Sequence, residues 1–350
     1  MLCCARCFND PYLSDESVPA RAGETGTCPQ CGSPNVRLVE AVTLKEEFEV
    51  VAGIYEPSDD GRPLIDWFQD DWALFDPDWI DLSKATLLLA EILDDTELIR
   101  RKLAPTDASS TQMLAQWHSV RAELKHENRF FPKTVHDTDG ETVFDLDRIE
   151  QLLPHVQTSM SGLPKSWHRA RIQDESAPYK AEKMGAPPKD RATHGRANPA
   201  GIPYLYLASD AQTAVSEIRP HPGEVACVAE FLVKDNLSLA DLREPRRSVS
   251  PFSLSSESEV AKMRGDVSFL EYFGEELTRP VIPQAAAIDY IPSQFLCEFI
   301  KNCGYDGVAY RSSVGPGINI ALFDPTSATI GDITSLNVNS VTVELGGSPT

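Results

Sequence analysis

Two pairs of cysteines near the start of the chain constrain its folding more than any other feature. "CARC" supplies Cys4 and Cys7, and "CPQC" supplies Cys28 and Cys31, so one C-x2-C turn is followed after roughly twenty residues by another. Each such turn presents two thiolates to one ion, and a tetrahedral zinc ion takes four. The spacing predicts a structural Zn2+ site with Cys4, Cys7, Cys28 and Cys31 as ligands, within a zinc ribbon over residues 1–40. Cys3 is the spare thiol, a register using it in place of Cys4 being the lesser alternative, and Gly32, directly after Cys31, suits a tight knuckle. Four thiolates fill the coordination sphere, so such a metal staples the chain and leaves no position for chemistry.

The start "MLCCARCFND" lacks the apolar core of a secretory signal, and no stretch approaches the roughly 20 apolar residues of a membrane span. A cytoplasmic protein with reduced thiols is expected. The 350 residues include 53 acidic and 32 basic side chains, a formal net charge of -21. Such a surface repels phosphate backbones and disfavours nucleic acid as a partner of the whole chain, although a local basic pocket stays open. Hydrophobic residues at 41% and charged residues at 24% are an ordinary mix for building more than one core.

Residues 41–156 read as a mostly helical domain. "SKATLLLAEILDD", "TQMLAQWHSVRAELKHENRFF" and "DLDRIEQLLPHV" are its helices, and the last stops at Pro154. The acidic, tryptophan-bearing stretch from Asp66 to Asp81 is either a contact surface or a solvated face with buried rings. After Leu163 the pattern changes to strands. "SWHRARI" is one; a long Pro-, Gly- and Lys-rich loop from about Asp174 to Gly201 follows; "IPYLYLAS" alternates as the next strand. "DAQTAVSEI" suits a short helix capped by Ser209 or Asp210. "EVACVAEFLV" and "LSLADL" are further strands, residues 243–285 a less regular, partly helical insertion, and "SQFLCEFIKNCG" a helix stopped at Gly304. "GVAYRSS" and "INIALFDP" are the final core strands, with a weak strand or tail over 336–350. The fold class is therefore α+β.

"WHRARI", "GRANPAGIPYLYLASDAQTAVSE" and "GYDGVAYRSSVGPGINIALFDP", in that order, resemble the RES domain, over about residues 164–325 within a domain bounded at 157–335. The N-terminal part is similar to the zinc-ribbon and HEPN-like module that precedes some RES domains, on "CFNDPYL" and "LKHENRFF". The resemblance implies a mixed β-sheet like that of ADP-ribosyltransferases. It also implies NAD+ as substrate, a role as a bacterial toxin or phage-defence effector, and an antitoxin or other regulatory protein as partner. A homo-oligomer stays open.

Carried onto this sequence, the family pattern implies Arg169, Tyr206, Glu217 and Ser312 as catalytic residues, with Arg171 the alternative to Arg169 and Ser313 the alternative to Ser312. Arg196, in the Gly-Pro loop, is a further phosphate candidate and Asn319 a further lining residue, so Arg171, Arg196, Ser313 and Asn319 form the expected substrate-binding set. Cleaving the nicotinamide–ribose bond passes through an oxocarbenium-like state. An arginine fork suits the diphosphate, and a glutamate at the ribose suits the developing positive charge. Arg169 and Arg171 are two apart in a strand and share a face; Ser312 and Ser313 are neighbours, so one faces in and the other out. Two alternatives remain. A mono-ADP-ribosyltransferase would use the same pocket on a macromolecular acceptor. A HEPN-type RNA-processing or binding module would instead depend on Arg121 and His126, spaced R-x4-H, although Ala122 follows the arginine where active HEPN domains usually carry a polar group. No G-x-G-x-x-G precedes a helix, so a Rossmann site is not indicated.

Overall fold

The structure, a computed structural model, describes residues 1–106, 112–133, 135, 144–279, 281–282 and 284–342. Parts of the expected helical domain (107–111, 134 and 136–143) and the end of the expected tail (343–350) lie outside the described residues. The chain divides into two compact units. The first comprises Met1–Val120, Asp137–Asp145 and Glu244–Glu271; the second comprises Arg121–His136, Leu146–Arg243 and Tyr272–Thr350. Among the described residues, no helix is long and apolar enough to cross a membrane.

In the first unit the ligand atoms of Cys4, Cys7, Cys28 and Cys31 all lie within 4.8 Å of one another. Cys4 Sγ is 3.5 Å from Cys31 Sγ, and Cys7 Sγ is 3.6 Å from Cys28 Sγ. Four thiolates at zinc–sulfur bond length sit about 3.8 Å apart at the corners of a tetrahedron, so the cluster has the size and chemistry of a metal site. Two-stranded ribbons flank it, Leu2–Cys3 with Val39–Glu40 and Thr25–Gly26 with Val36–Arg37. Gly32 takes φ +74° directly after the second knuckle, a conformation that favours glycine. Burial pushes the Cys3 thiol up to about 12, so the spare cysteine stays protonated at neutral pH.

Helices α1 (Lys45–Ala52), α2 (Leu64–Trp72) and α3 (Leu82–Leu93) surround a ring cluster in which Phe48 packs at 4.6 Å on Phe252. The acidic stretch around α2 is neither wholly solvated nor wholly a contact surface. Asp71 is buried, accepting from the Tyr55 hydroxyl at 2.9 Å and pairing with Arg264 Nε at 2.5 Å, whereas Trp79 is exposed. A buried carboxylate of this kind needs its cation, and Arg264 supplies it from a distant part of the sequence.

Helix α4 spans Gln112–His126, and Arg121 on it pairs with the buried Glu276 at 3.3 Å. In the second unit, an eight-stranded sheet is built from β1 (Gln157–Ser159), β2 (Trp167–Ile172), β3 (Leu205–Ala208), β4 (Val225–Val233), β5 (Ser238–Asp241), β6 (Gly307–Arg311), β7 (Ile318–Leu322) and β8 (Ala328–Asn337). The spatial order is β8-β4-β2-β3-β7-β6-β5-β1; β5 and β6 run parallel and every other pair antiparallel. Strand alternation sorts its two faces. Trp167, Leu207, Ala229 and Ile320 fill one core, and Ala170, Ala208, Ala226 and Val228 receive helix α5 (Ala211–Glu217) on the other.

Two elements differ from the sequence reading. Residues 243–285, expected to be only partly helical and less regular, contain a regular 22-residue helix, α6 (Glu257–Thr278). Its buried positions Val260, Met263, Val267 and Leu270 keep helical spacing, but interspersed charges and Gly265 and Gly274 weaken the pattern. Gly274 has a packing reason, since a Cβ there would strike the carbonyl oxygen of Leu242. Strand β8 begins at Ala328, well before the expected weak strand, and pairs with β4 along almost its whole length. It is an edge strand with mostly exposed side chains, so no apolar run marks it. Helix α7 (Ile291–Asn302) ends as expected before Gly304, at φ +92°.

Candidate active site

Helix α5 delivers Glu217, and its start is fixed by side chains. Asp210 caps it, Oδ1 accepting from Thr213 N at 2.7 Å. The Thr213 and Ser209 hydroxyls accept from Gly317 N and Ile318 N, each at 3.0 Å, which ties the helix to the beginning of β7. Gly317 is required by this junction, because a Cβ would collide with Asp210, Ser209 and Thr213 together. Glu217 is the last residue of α5, where the helix dipole is unfavourable for a carboxylate. Two donors offset this. Asn319 Nδ2 donates to Glu217 Oε1 at 2.6 Å, and Ser312 Oγ donates to the same oxygen at 2.8 Å. No hydrogen bond reaches Oε2 among the described residues. Ser312 Oγ also accepts from Val314 N at 3.2 Å and Gly315 N at 3.1 Å, shaping the loop that follows β6.

Tyr206, on β3, is built into the Gly-Pro loop. Its hydroxyl donates to Asn198 Oδ1 at 2.7 Å and accepts from Ala197 N at 3.0 Å. Asn198 Nδ2 in turn donates to the carbonyls of Thr193, Pro199 and Ile202. The amide therefore staples the loop from inside, and Gly195 leaves room for it: a Cβ there would lie 2.5 Å from the Tyr206 hydroxyl. Burial holds the Tyr206 phenol well above the usual tyrosine range. Arg196 occupies the same loop. Its Nη1 donates to the Arg279 carbonyl at 2.5 Å, and its guanidinium lies 5.5 Å from the Tyr290 ring centre.

The structure brings Glu217, Ser312 and Asn319 into direct contact and places Arg196 and Tyr206 on one stapled loop and strand. It does not bring Arg171 or Ser313 to them. Arg171 donates to the Lys183 carbonyl, and Ser313 forms no hydrogen bond among the described residues. Arg169 and Arg171 share a face, as alternation requires, but it is the face of Trp167 and Ala229; Tyr206 and Asn319 point to the other. Strands β2 and β3 pair only at His168 and Ala208. Beyond that point Arg169 Nη1 donates to the Tyr206 carbonyl at 3.1 Å, taking an acceptor the ladder leaves unused. Burial, with Arg171 nearby, lowers the Arg169 guanidinium to about 10.

Asp210 caps the helix as one of the two expected candidates, whereas two residues of the site escaped the sequence reading. Asn198 holds its loop through main-chain carbonyls, which no spacing announces. Tyr310, on β6, stands directly across the ladder from Asn319. Its signal was available, because a strand that turns Asn319 toward Glu217 turns the opposed residue of its antiparallel neighbour the same way.

A carboxylate held by an amide and a hydroxyl, on a helix tied to a mixed sheet beside an arginine-bearing loop, is a constellation suited to gripping a sugar next to a phosphate. The family follows from the sequence model of the RES domain, which matches residues 166–339. The chain carries a RES domain there. Among solved structures, a chain of the M. tuberculosis MbcT-MbcA toxin-antitoxin complex matches with a TM-score of 0.32 and 16% identity, over 55% of this chain and 94% of that one. No curated protein matches the chain.

Proposed function

We propose that the RES domain of this chain consumes NAD+, breaking the nicotinamide–ribose bond. The observation that carries the reading is the Glu217 carboxylate, held by Ser312 and Asn319 through Oε1 while Oε2 has no donor among the described residues. Oε2 accepts a ribose hydroxyl, and the negative charge stabilises the oxocarbenium-like state as nicotinamide leaves. Arg196 seats the diphosphate, for which its planar fork is suited. Tyr206 flanks the nicotinamide ribose, with Arg169 steadying the main chain of its strand. Water captures the sugar to give ADP-ribose and a proton, or inorganic phosphate captures it to give the 1-phosphate.

In a cell this activity drains a central cofactor, so the reading extends to a cytoplasmic toxin or phage-defence effector restrained by an antitoxin. RES-domain membership supports that extension. The four-cysteine cluster holds a structural Zn2+ in this reading, away from the chemistry.

The test is incubation of the full chain with NAD+, with and without inorganic phosphate, followed by chromatography of nicotinamide and the sugar product. Nicotinamide with ADP-ribose identifies a glycohydrolase, and nicotinamide with a phosphorylated ADP-ribose identifies a phosphorylase. Sugar found only on added protein identifies the transferase alternative. No nicotinamide under either condition refutes the reading.

A further inference from the structure

Tyr310 is opposite Asn319 in the β6–β7 ladder, and side chains so opposed share a face with Cβ atoms about 5 Å apart. Asn319 is the amide that donates to Glu217. The Tyr310 ring therefore approaches the carboxylate region from the next strand. Tyr310 is only 4% exposed, yet its hydroxyl forms no hydrogen bond among the described residues. A phenol hydroxyl so placed needs a partner from outside the protein, water or a ligand, because leaving it unmet is costly.

Tyr204 provides the contrast. Its hydroxyl also lacks a partner but is sealed within the protein, with its ring 4.9 Å from that of Phe323. The Tyr310 hydroxyl, by contrast, is not closed off from solvent. Burial, together with Tyr206 and Glu217, holds the Tyr310 phenol well above the usual tyrosine range, and Arg196 opposes that shift. It is thus an O–H donor at physiological pH, beside a carboxylate that only accepts. One alcohol satisfies both groups, donating its proton to the carboxylate and accepting from the phenol.

We propose that the Tyr310 hydroxyl is a substrate-binding group that donates to the same ribose hydroxyl whose proton Glu217 accepts. The two residues then fix one sugar alcohol from both sides. The inference rests on the NAD+ reading above and adds a residue to it.

The experiment compares the full chain with its Tyr310→Phe and Tyr204→Phe variants, measuring nicotinamide release over a range of NAD+ concentrations and thermal melting of each. Phenylalanine removes a hydroxyl that no group among the described residues uses, so Tyr310→Phe should melt no lower than the wild type. Its KM for NAD+ should rise about 5- to 10-fold with kcat within about twofold, the pattern of a lost hydrogen bond made in ground state and transition state alike. Tyr204→Phe should change neither. An unchanged KM in Tyr310→Phe, whether or not kcat moves, overturns the proposal and leaves the NAD+ reading standing. Absence of nicotinamide release by the wild type overturns both.

Discussion

Deleting the two donors to Glu217, singly and together, should reveal how the carboxylate is aimed. Asn319→Ala removes the 2.6 Å bond and Ser312→Ala the 2.8 Å bond to Oε1. A hydrogen bond to an ionised group contributes about 1.5–3 kcal/mol, and Glu217 is exposed, so the lower end applies. About 1.5 kcal/mol corresponds to about tenfold in kcat/KM for each variant. Ser312 also accepts from two loop amides, so Ser312→Ala should be the more damaging of the two. Both donors end on one oxygen, and either alone still orients Oε2. The second deletion should therefore cost more than the first, by a coupling of about 1 kcal/mol. The double variant should then fall by closer to about 1,000-fold than the 100-fold of independent losses. The assay is initial-rate nicotinamide release across NAD+ concentrations, with melting curves to establish that each variant is folded. Single variants within about twofold of wild type, or a double variant equal to the product of the singles, would refute the reasoning.

Other outcomes follow from the same structure. Purified protein should carry about one zinc per chain by elemental analysis, and Cys28→Ser with Cys31→Ser should abolish it and lower the melting temperature; full thermal stability in the metal-free variant would count against the site. Gly195→Ala drives a methyl group into the Tyr206 hydroxyl and Asn198, and should cost about 1–3 kcal/mol in denaturant unfolding along with most of the NAD+ turnover. Burial raises Asp10 from 3.8 to about 6, so the folded protein binds that proton more tightly than the unfolded chain. Its contribution to stability is complete below about pH 4 and lost as pH rises through about 6. Asp10→Asn keeps an Oδ1 acceptor for Leu13 N and the Ser250 hydroxyl, and should stabilise by up to about 3 kcal/mol at pH 7–8 with no gain at pH 4; a gain independent of pH contradicts the burial argument.

What could be read from the sequence was mostly local. The cysteine pairs, the Asp210 cap, the alternation around Tyr206 and the stop at Gly304 each follow from short-range chemistry, and each appears where expected. The contact of Glu217 with Ser312 and Asn319 joins positions about a hundred residues apart, and only the resemblance to the RES pattern linked them in advance. Long-range register was the harder part. Arg169 and Arg171 were correctly assigned to one face, but which face depends on pairing with β3 and β4, and that pairing turns them away from Asn319. Tyr310 went unnoticed because its importance lies in what stands across the ladder. Strand β8 carried no apolar run because an exposed edge does not need one.

The central claim is that Glu217 carries out NAD+ cleavage from the position Ser312 and Asn319 give it. The most direct measurement is the rate of nicotinamide release by the full chain and by Glu217→Gln, which keeps the side chain's size and removes its charge. The account predicts release by the wild type and a loss of at least about 100-fold in the variant, the scale of a missing charge at a developing cation. Equal rates in the two proteins would contradict it.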